Sequence, residues 1–311
     1  MEVTAHRGRH GVLCHYTGDE VIGASLSHYG EWAEEELYLL STLIGAGDTV
    51  VDVGANIGTH TIAFSRFVGP TGRVFSIEAQ RRAFALLTLN TFLNGAENVR
   101  CLQAIAGKES GLRMIHEENE AASRNLGSFS LAWETPAPPD QPDQPLLSPV
   151  PAVALDDLQL PRCDLVKIDA ELMEFDVMVG ARRTIERFQP VLYFEQTGEG
   201  YLPQVFEYLQ EISYRAFWHV ANPYNRNNLK GSSHNIFGEA REVMILALPR
   251  EKRNGLEKSG FVLDEISQPI FNPARNSGWS LPQTAYGNLP SVNFPRIEGL
   301  LEEIRLARPN Q

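Results

Sequence analysis

The sequence predicts an α/β fold: a doubly wound, mostly parallel sheet with helices on both faces. Three observations carry this. Apolar strand-like runs alternate with helical stretches from residue 48 to 106 and again from 164 to 196. The stretch VVDVGANIGTHT, residues 50–61, reads as a strand ending in an acid, a glycine loop and a helix start. The chain has 311 residues, 43% of them apolar, enough for a sizeable core.

Residues 1–30 hold short β-like pieces, GVLCHY and DEVIGASL. YGEWAEEELYLLSTLI, residues 29–44, predicts a helix, with Trp32, Leu37, Leu40 and Ile44 near helical spacing and Gly45 and Gly47 closing it. DTVVDV is a buried strand, and IGTHTIAFSRFV a helix ended by Gly69-Pro70. Strand RVFSIE, helix RRAFALLTLNTFLNG and strand NVRCLQAIAG follow. Between 107 and 163 the alternation breaks. GLRMIHE and LGSFSLAWE read as strands, and the proline-rich run ETPAPPDQPDQPLLSPVP as a surface loop without regular structure. Strand DLVKIDAE, helix EFDVMVGARRTIERF and strand PVLYFEQ resume the pattern. A helix around YLPQVFEYLQEI precedes two further strands, SYRAFWHV and EVMILALP. The last sixty residues are less periodic and end in a helix-like run, RIEGLLEEIRLA. This divides the chain into a cover segment over 1–47, a cofactor-binding domain over 48–250 and an extension over 251–311.

Composition narrows the function. The net charge is −12 and the sequence pI about 5.2, with no sustained basic stripe. Nucleic acid and anionic membrane surfaces are therefore not the expected partners. Cys14, Cys101 and Cys163 form no CxxC pair, which argues against a metal site or a disulfide framework. No leader-like apolar segment and no stretch of 18 apolar residues is present, so a soluble, cytoplasmic protein is expected.

The glycine spacing points to a cofactor. Dinucleotide folds use G-x-G-x-x-G to bring backbone up to a pyrophosphate, and that pattern is absent. Here Asp52 precedes Gly54 and Gly58 in D-x-G-x-x-x-G, the pattern of S-adenosylmethionine (SAM) methyltransferases. SAM needs close backbone approach to its methionine portion and acids for its ammonium and ribose hydroxyls. Glu78 ends the next strand, twenty residues past Gly58, the offset of an acid on ribose hydroxyls. The expected cofactor residues are Asp52, Gly54, Asn56, Gly58, Thr59, Glu78, Ala79, Ala104 and Asp169, with Tyr29 and Trp32 closing over them from the cover segment. A side chain on Gly54 would fill space the methionine portion needs.

VVDVGANIGTHT, IEAQRRAFALLTLNTFLNG, DLVKIDAELMEFDVMVGARRTIERFQPVLYFE and NIFGEAREVMILALP together resemble the FkbM-type SAM-dependent methyltransferases over roughly residues 10–250. YGEW and the GSFSL at 127–131 resemble one branch of that family. The resemblance implies a Rossmann-like class I methyltransferase fold and, usually, transfer to a hydroxyl oxygen of a natural product or glycan. One departure stands out. The family's K-I-D-V-E-G-M-E reads K-I-D-A-E-L-M-E here, with Leu172 in place of a glycine. Leucine tolerates positive φ poorly, so either the loop or the pocket beside it is expected to differ.

The catalytic candidates are Asp169, Glu171 and His60. The two acids sit at the C-terminal end of a strand, the edge where ligands bind in open sheets. Crowded carboxylates raise one another's pKa and supply a base near neutral pH. The same two could instead hold Mg²⁺, though no metal is assigned. Glu174 either joins them or caps the following helix. His60 opens a helix whose dipole helps keep the ring neutral. His219 and Glu195 end strands and are weaker candidates, as are His116 and His234. The expected activity is O-methylation of a small-molecule or glycan acceptor. N- or carboxyl-methylation on the same fold and a non-catalytic SAM-fold partner are the alternatives, and a homodimer is one assembly open to such a chain.

Overall fold

The computed structural model describes residues 2–116, 147–196, 199–251 and 260–270, with a few positions between 256 and 286. The expected strand LGSFSLAWE, the GSFSL motif and the C-terminal run RIEGLLEEIRLA lie outside the described residues.

The chain opens with a hairpin of β1 (Val3–Arg7) and β2 (Val12–Tyr16), then α1 (Ile22–Tyr29) and α2 (Glu34–Ser41). The central alternation follows: β3 (Thr49–Val53), α3 (Thr59–Val68), β4 (Arg73–Glu78), α4 (Arg81–Leu93) and β5 (Val99–Gln103). Next come β6 (Ile105–Ala106), β7 (Gly111–His116) and β8 (Leu147–Val153), which pair among themselves. Then β9 (Leu165–Ile168), α5 (Glu174–Gly180), α6 (Arg182–Phe188), β10 (Val191–Glu195), α7 (Leu202–Glu211), β11 (Tyr214–Ala221) and β12 (Glu242–Pro249) complete the described elements.

Seven strands form one sheet in the order β11-β12-β10-β9-β3-β4-β5. Five are parallel, and β12 runs antiparallel between β10 and β11. This is the doubly wound arrangement expected from the alternation. The parallel strands are apolar runs because helices cover both faces, and all five residues of β3 are buried. Strand order reverses direction between β3 and β9, which places a crevice at their C-terminal ends.

Four elements differ from the sequence reading. DEVIGASL does not form a strand. Ile22, Gly23, Ser25, Leu26 and Tyr29 are buried at helical spacing and make α1. The helix expected over 29–44 is the shorter α2, which starts only at Glu34 and ends at Ser41. The end of the proline-rich run is regular: Leu147–Val153 pairs antiparallel with β7. Pro149 and Pro151 sit two residues apart, so their missing N–H groups point to one edge, and β6 reaches only Ala152 and Val153. Finally, EFDVMVGARRTIERF breaks into α5 and α6 around Ala181.

Candidate functional site

A cavity of about 380 Å³ opens at the C-terminal edge of β3, β4, β9 and β10. One side is built from β3, its loop and β4. The loop turns sharply, with Gly54, Asn56 and Gly58 at φ of +70°, +49° and +93°. Glycine and asparagine are the residues that accept this backbone cheaply. Gly54, Asn56, Thr59, Glu78, Ala79 and Ala104 all line the cavity. Glu78 organises this half: its Oε2 accepts the Asn56 N–H at 2.8 Å and its Oε1 the Gln80 N–H at 2.7 Å. Burial pushes its carboxyl up to about 7, against the pull of those two donors. Asn56 Oδ1 and Gln80 Nε2 are buried without a hydrogen-bond partner on the same wall.

The other side comes from β9, β10, the start of β12 and the cover segment. Asp169, Glu171, Glu195, Glu242, Lys167, His60, Glu36 and Trp32 line it. Lys167 is 2% exposed and stands 3.0 Å from Asp169 Oδ2 and 3.7 Å from Asp52 Oδ1. Burial works against its charge, but the surrounding carboxylates outweigh that and hold it well above the ordinary lysine value. Burial likewise raises Asp169, yet the Lys167 ammonium brings its carboxyl below the usual range. Glu195, hydrogen-bonded to Asp169, is pushed up to about 9 by burial and by Asp169. Glu36 and Glu242 hydrogen-bond to each other and are both raised by burial. Glu171 is raised to about 7 by burial and then by Asp169 and Glu174. His60 is driven down to about 4 by burial, so the ring is neutral at physiological pH.

The acidic loop keeps the backbone the usual glycine would take. Glu171 and Leu172 adopt φ of +47° and +75°. Glu174 staples this turn, its Oε1 accepting the N–H groups of Ala170 and Leu172, both at 3.2 Å. Glu174 is the first residue of α5, and these bonds hold the turn that precedes the helix; the Met173 N-cap has no side-chain cap. Leu172 is largely exposed and does not line the main cavity.

Several expected residues sit elsewhere. Asp52 is fully buried behind the wall, where it accepts the Thr61 hydroxyl at 2.6 Å and supports Lys167. Gly58 starts α3 beneath the loop, where a Cβ would lie 2.8 Å from Leu87 Cδ1. Tyr29 is fully buried and does not reach the cavity. Its hydroxyl donates to the His234 carbonyl at 2.8 Å and accepts the Ile236 N–H at 2.7 Å. Val21, Ile22, Trp32 and Glu36 are the cover residues at the cavity. His219 is fully enclosed, sharing a 2.8 Å hydrogen bond with the Tyr193 hydroxyl. Gly54 needs more than ligand space: a Cβ would stand 1.7 Å from the Asp169 carbonyl oxygen, so a side chain there disrupts the β3–β9 junction itself.

Sequence reasoning missed Glu36, Lys167 and Glu242. Lys167 carried a signal, because a lysine between Val166 and Ile168 in a buried strand demands a counter-ion. Glu36 did not: it stands in a run of three acids at the start of α2, all three of them buried. Among the described residues, no group of three or more His, Cys, Asp or Glu is arranged to hold a metal ion. No helix among them is long and apolar enough to cross a membrane.

The methyltransferase FkbM domain profile matches residues 52–216. No curated protein matched significantly. Among solved structures, the chain is similar to methyltransferase FkbM from Methylobacillus flagellatus KT at 17% identity and a TM-score of 0.44, covering 66% of this chain and 47% of that one. This chain thus spans about half the length of that protein. The precorrin-6y C5,15-methyltransferase from Geobacter metallireducens is also similar, with 17% identity, coverage of 68% and 87%, and a TM-score of 0.43. So is Aeropyrum pernix fibrillarin, solved with natively bound S-adenosyl-L-methionine, with 12% identity, coverage of 80% and 83%, and a TM-score of 0.39. The profile match spans more than half of the sequence and takes in the ends of β3, β4, β9 and β10 at the cavity, and the chain belongs to the FkbM family of SAM-dependent methyltransferases.

Proposed function

We propose that this protein methylates a hydroxyl oxygen of a natural product or glycan. The residues of the β3–β4 side fit SAM. Gly54, Asn56 and Thr59 offer close backbone, and Glu78 offers a carboxylate for ribose hydroxyls. The orphaned Asn56 Oδ1 and Gln80 Nε2 are polar atoms waiting for a ligand partner. Bound SAM would supply a methyl group already activated on a sulfonium, so the protein's task is to position the acceptor and take up its proton.

The observation that carries the hydroxyl reading is Glu171. It lines the acceptor side, and its carboxyl sits near 7. A base poised near the operating pH is what a hydroxyl acceptor uses, because its proton must leave as the new C–O bond forms. Asp169 is unsuited to that work, since Lys167 keeps it ionised and occupied at 3.0 Å. It orients Lys167 and Glu195 instead. His60 is neutral, but its low proton affinity makes it the weaker acceptor. The left-handed turn retained at Leu172 holds Glu171 in place, which favours a working enzyme over a non-catalytic relative.

The test is Glu171→Gln, assayed for transfer of labelled methyl from SAM to hydroxylated acceptors. The rate should fall about 10²–10⁴-fold while calorimetric affinity for S-adenosylhomocysteine stays unchanged. For the parent enzyme, log rate should rise with unit slope below pH 7, bend near pH 7 and level off above it. Full activity in the Gln variant would remove Glu171 as base. Loss of activity in EDTA with recovery in Mg²⁺ would point to a metal instead.

A further inference from the structure

We propose that the acceptor carries a protonated amine close to the hydroxyl that is methylated, held by the carboxylates on the β9–β10–β12 side of the cavity. The proposal rests on the methyltransferase reading and specifies its substrate class.

The sheet separates two chemistries. Glu78 alone represents acid on the β4 side. Glu36, Asp169, Glu171, Glu195 and Glu242 crowd the other side. The cation opposing them is Lys167, and it is already shared between Asp169 and Asp52. SAM brings two positive groups and one carboxylate, a net charge of one, and its ribose end belongs on the Glu78 side. The acids on the acceptor side therefore outnumber the cations that the protein and the methyl donor bring there.

The carboxyl groups respond as uncompensated acids do: they pair with one another. Glu36 hydrogen-bonds Glu242, and Asp169 hydrogen-bonds Glu195. Each such pair needs a shared proton, because two carboxylates cannot hydrogen-bond when both are ionised. A cation entering the cavity replaces those protons.

An independent observation comes from His60. It is 6% exposed, it lines the same wall, and its Nε2 has no hydrogen-bond partner. The neutral ring's Nε2 stands 3.6 Å from Glu36 Oε2, too far for a hydrogen bond, and in the tautomer protonated at Nδ1 it can accept from a donor that enters between them. An ammonium has three donors and no acceptor, matching a wall of carboxylates and a neutral imidazole. Trp32 adds an aromatic surface of the kind that favours alkylammonium groups. A neutral polyol would also hydrogen-bond here, but it would displace none of the shared protons.

The experiment uses the full chain saturated with S-adenosylhomocysteine and titrated calorimetrically with D-glucosamine, N-acetyl-D-glucosamine and D-glucose at pH 7. Glucosamine should bind about tenfold tighter than either uncharged sugar, the scale of one charge-assisted hydrogen bond. Its heat should differ between phosphate and Tris buffers, because protons are released. Glu195→Gln and Glu242→Gln should each shrink the preference to about threefold or less, with S-adenosylhomocysteine affinity unchanged. Equal affinity for the three sugars, no glucosamine binding, or no proton release would overturn the proposal. Failure of the parent protein to bind S-adenosylhomocysteine would instead overturn the cofactor reading beneath it.

Discussion

Asp52 and Lys167 stand directly opposite each other in the parallel pairing of β3 and β9, with the ammonium 3.7 Å from Asp52 Oδ1 at the centre of the sheet. The same ammonium reaches Asp169 at the cavity floor. One buried lysine thus joins the core of the sheet to the acidic wall of the site.

Lys167→Met should be among the most destabilising changes in the chain. It leaves Asp52 and Asp169 without their cation, and removing one partner of a buried pair costs about 3–5 kcal/mol. Urea unfolding at pH 7 measures this. Asp169 is held low by Lys167, so its contribution is present at neutral pH and is lost as pH falls through its folded value. The gap between variant and parent should accordingly narrow under acid conditions. A variant as stable as the parent at pH 7 would show that the lysine is dispensable to the fold.

Glu78→Ala should weaken SAM by about 1.5–3 kcal/mol, the scale of a hydrogen bond to a charged group. It also removes the acceptor for the Asn56 and Gln80 N–H groups, so part of the loss comes from a loosened loop. Glu78→Gln keeps an acceptor oxygen for one of them and should retain more affinity than the alanine variant. Calorimetric titration of both separates ribose recognition from loop support. Unchanged affinity in both variants would remove Glu78 from the cofactor site.

Glu195→Gln should raise thermal stability at alkaline pH. The folded carboxyl is lifted from 4.5 to about 9, so the folded state binds more protons than the unfolded chain between those values. Its stabilising protonation is complete below 4.5 and is lost as pH rises through 9. Glutamine can still donate to Asp169 and never ionises. The melting temperature at pH 9 should exceed the parent's by about 1.5 °C, the shift that 1 kcal/mol produces in a chain of this size, and the difference should vanish near pH 4.5. A pH-independent offset would mean that Glu195 is not titrating there.

Leu172→Gly should stabilise the protein slightly. Relief of the left-handed backbone at φ +75° is worth about 1–2 kcal/mol, offset by about 0.5–1 kcal/mol of glycine entropy. The leucine is 46% exposed, so little burial is lost. Denaturant midpoints should therefore move up. A fall would show that Leu172 makes packing contacts stronger than its strain.

Much of this protein was legible in its residues. Period and punctuation marked the central strands and the glycine loop, because a buried parallel strand must be apolar throughout and its helix must start at a turn. The offset from Gly58 to Glu78 placed an acid on the cavity wall, because consecutive strands of such a sheet end at the same edge. Local pattern misled where burial came from distant chain: DEVIGASL packs as helix α1 because its apolar face meets the rest of the fold at helical spacing, and Leu147–Val153 becomes a strand because β7 is there to pair with it. Only the tertiary structure decided the roles of the acids. Glu36, Glu195 and Glu242 lie far apart in sequence and meet because α2, β10 and the antiparallel β12 converge on one edge. Asp52 and Asp169 are read alike in sequence, yet one is sealed behind the sheet and the other faces the cavity. Charge, burial and proton affinity are set by what surrounds a side chain in space, and sequence order does not carry that information.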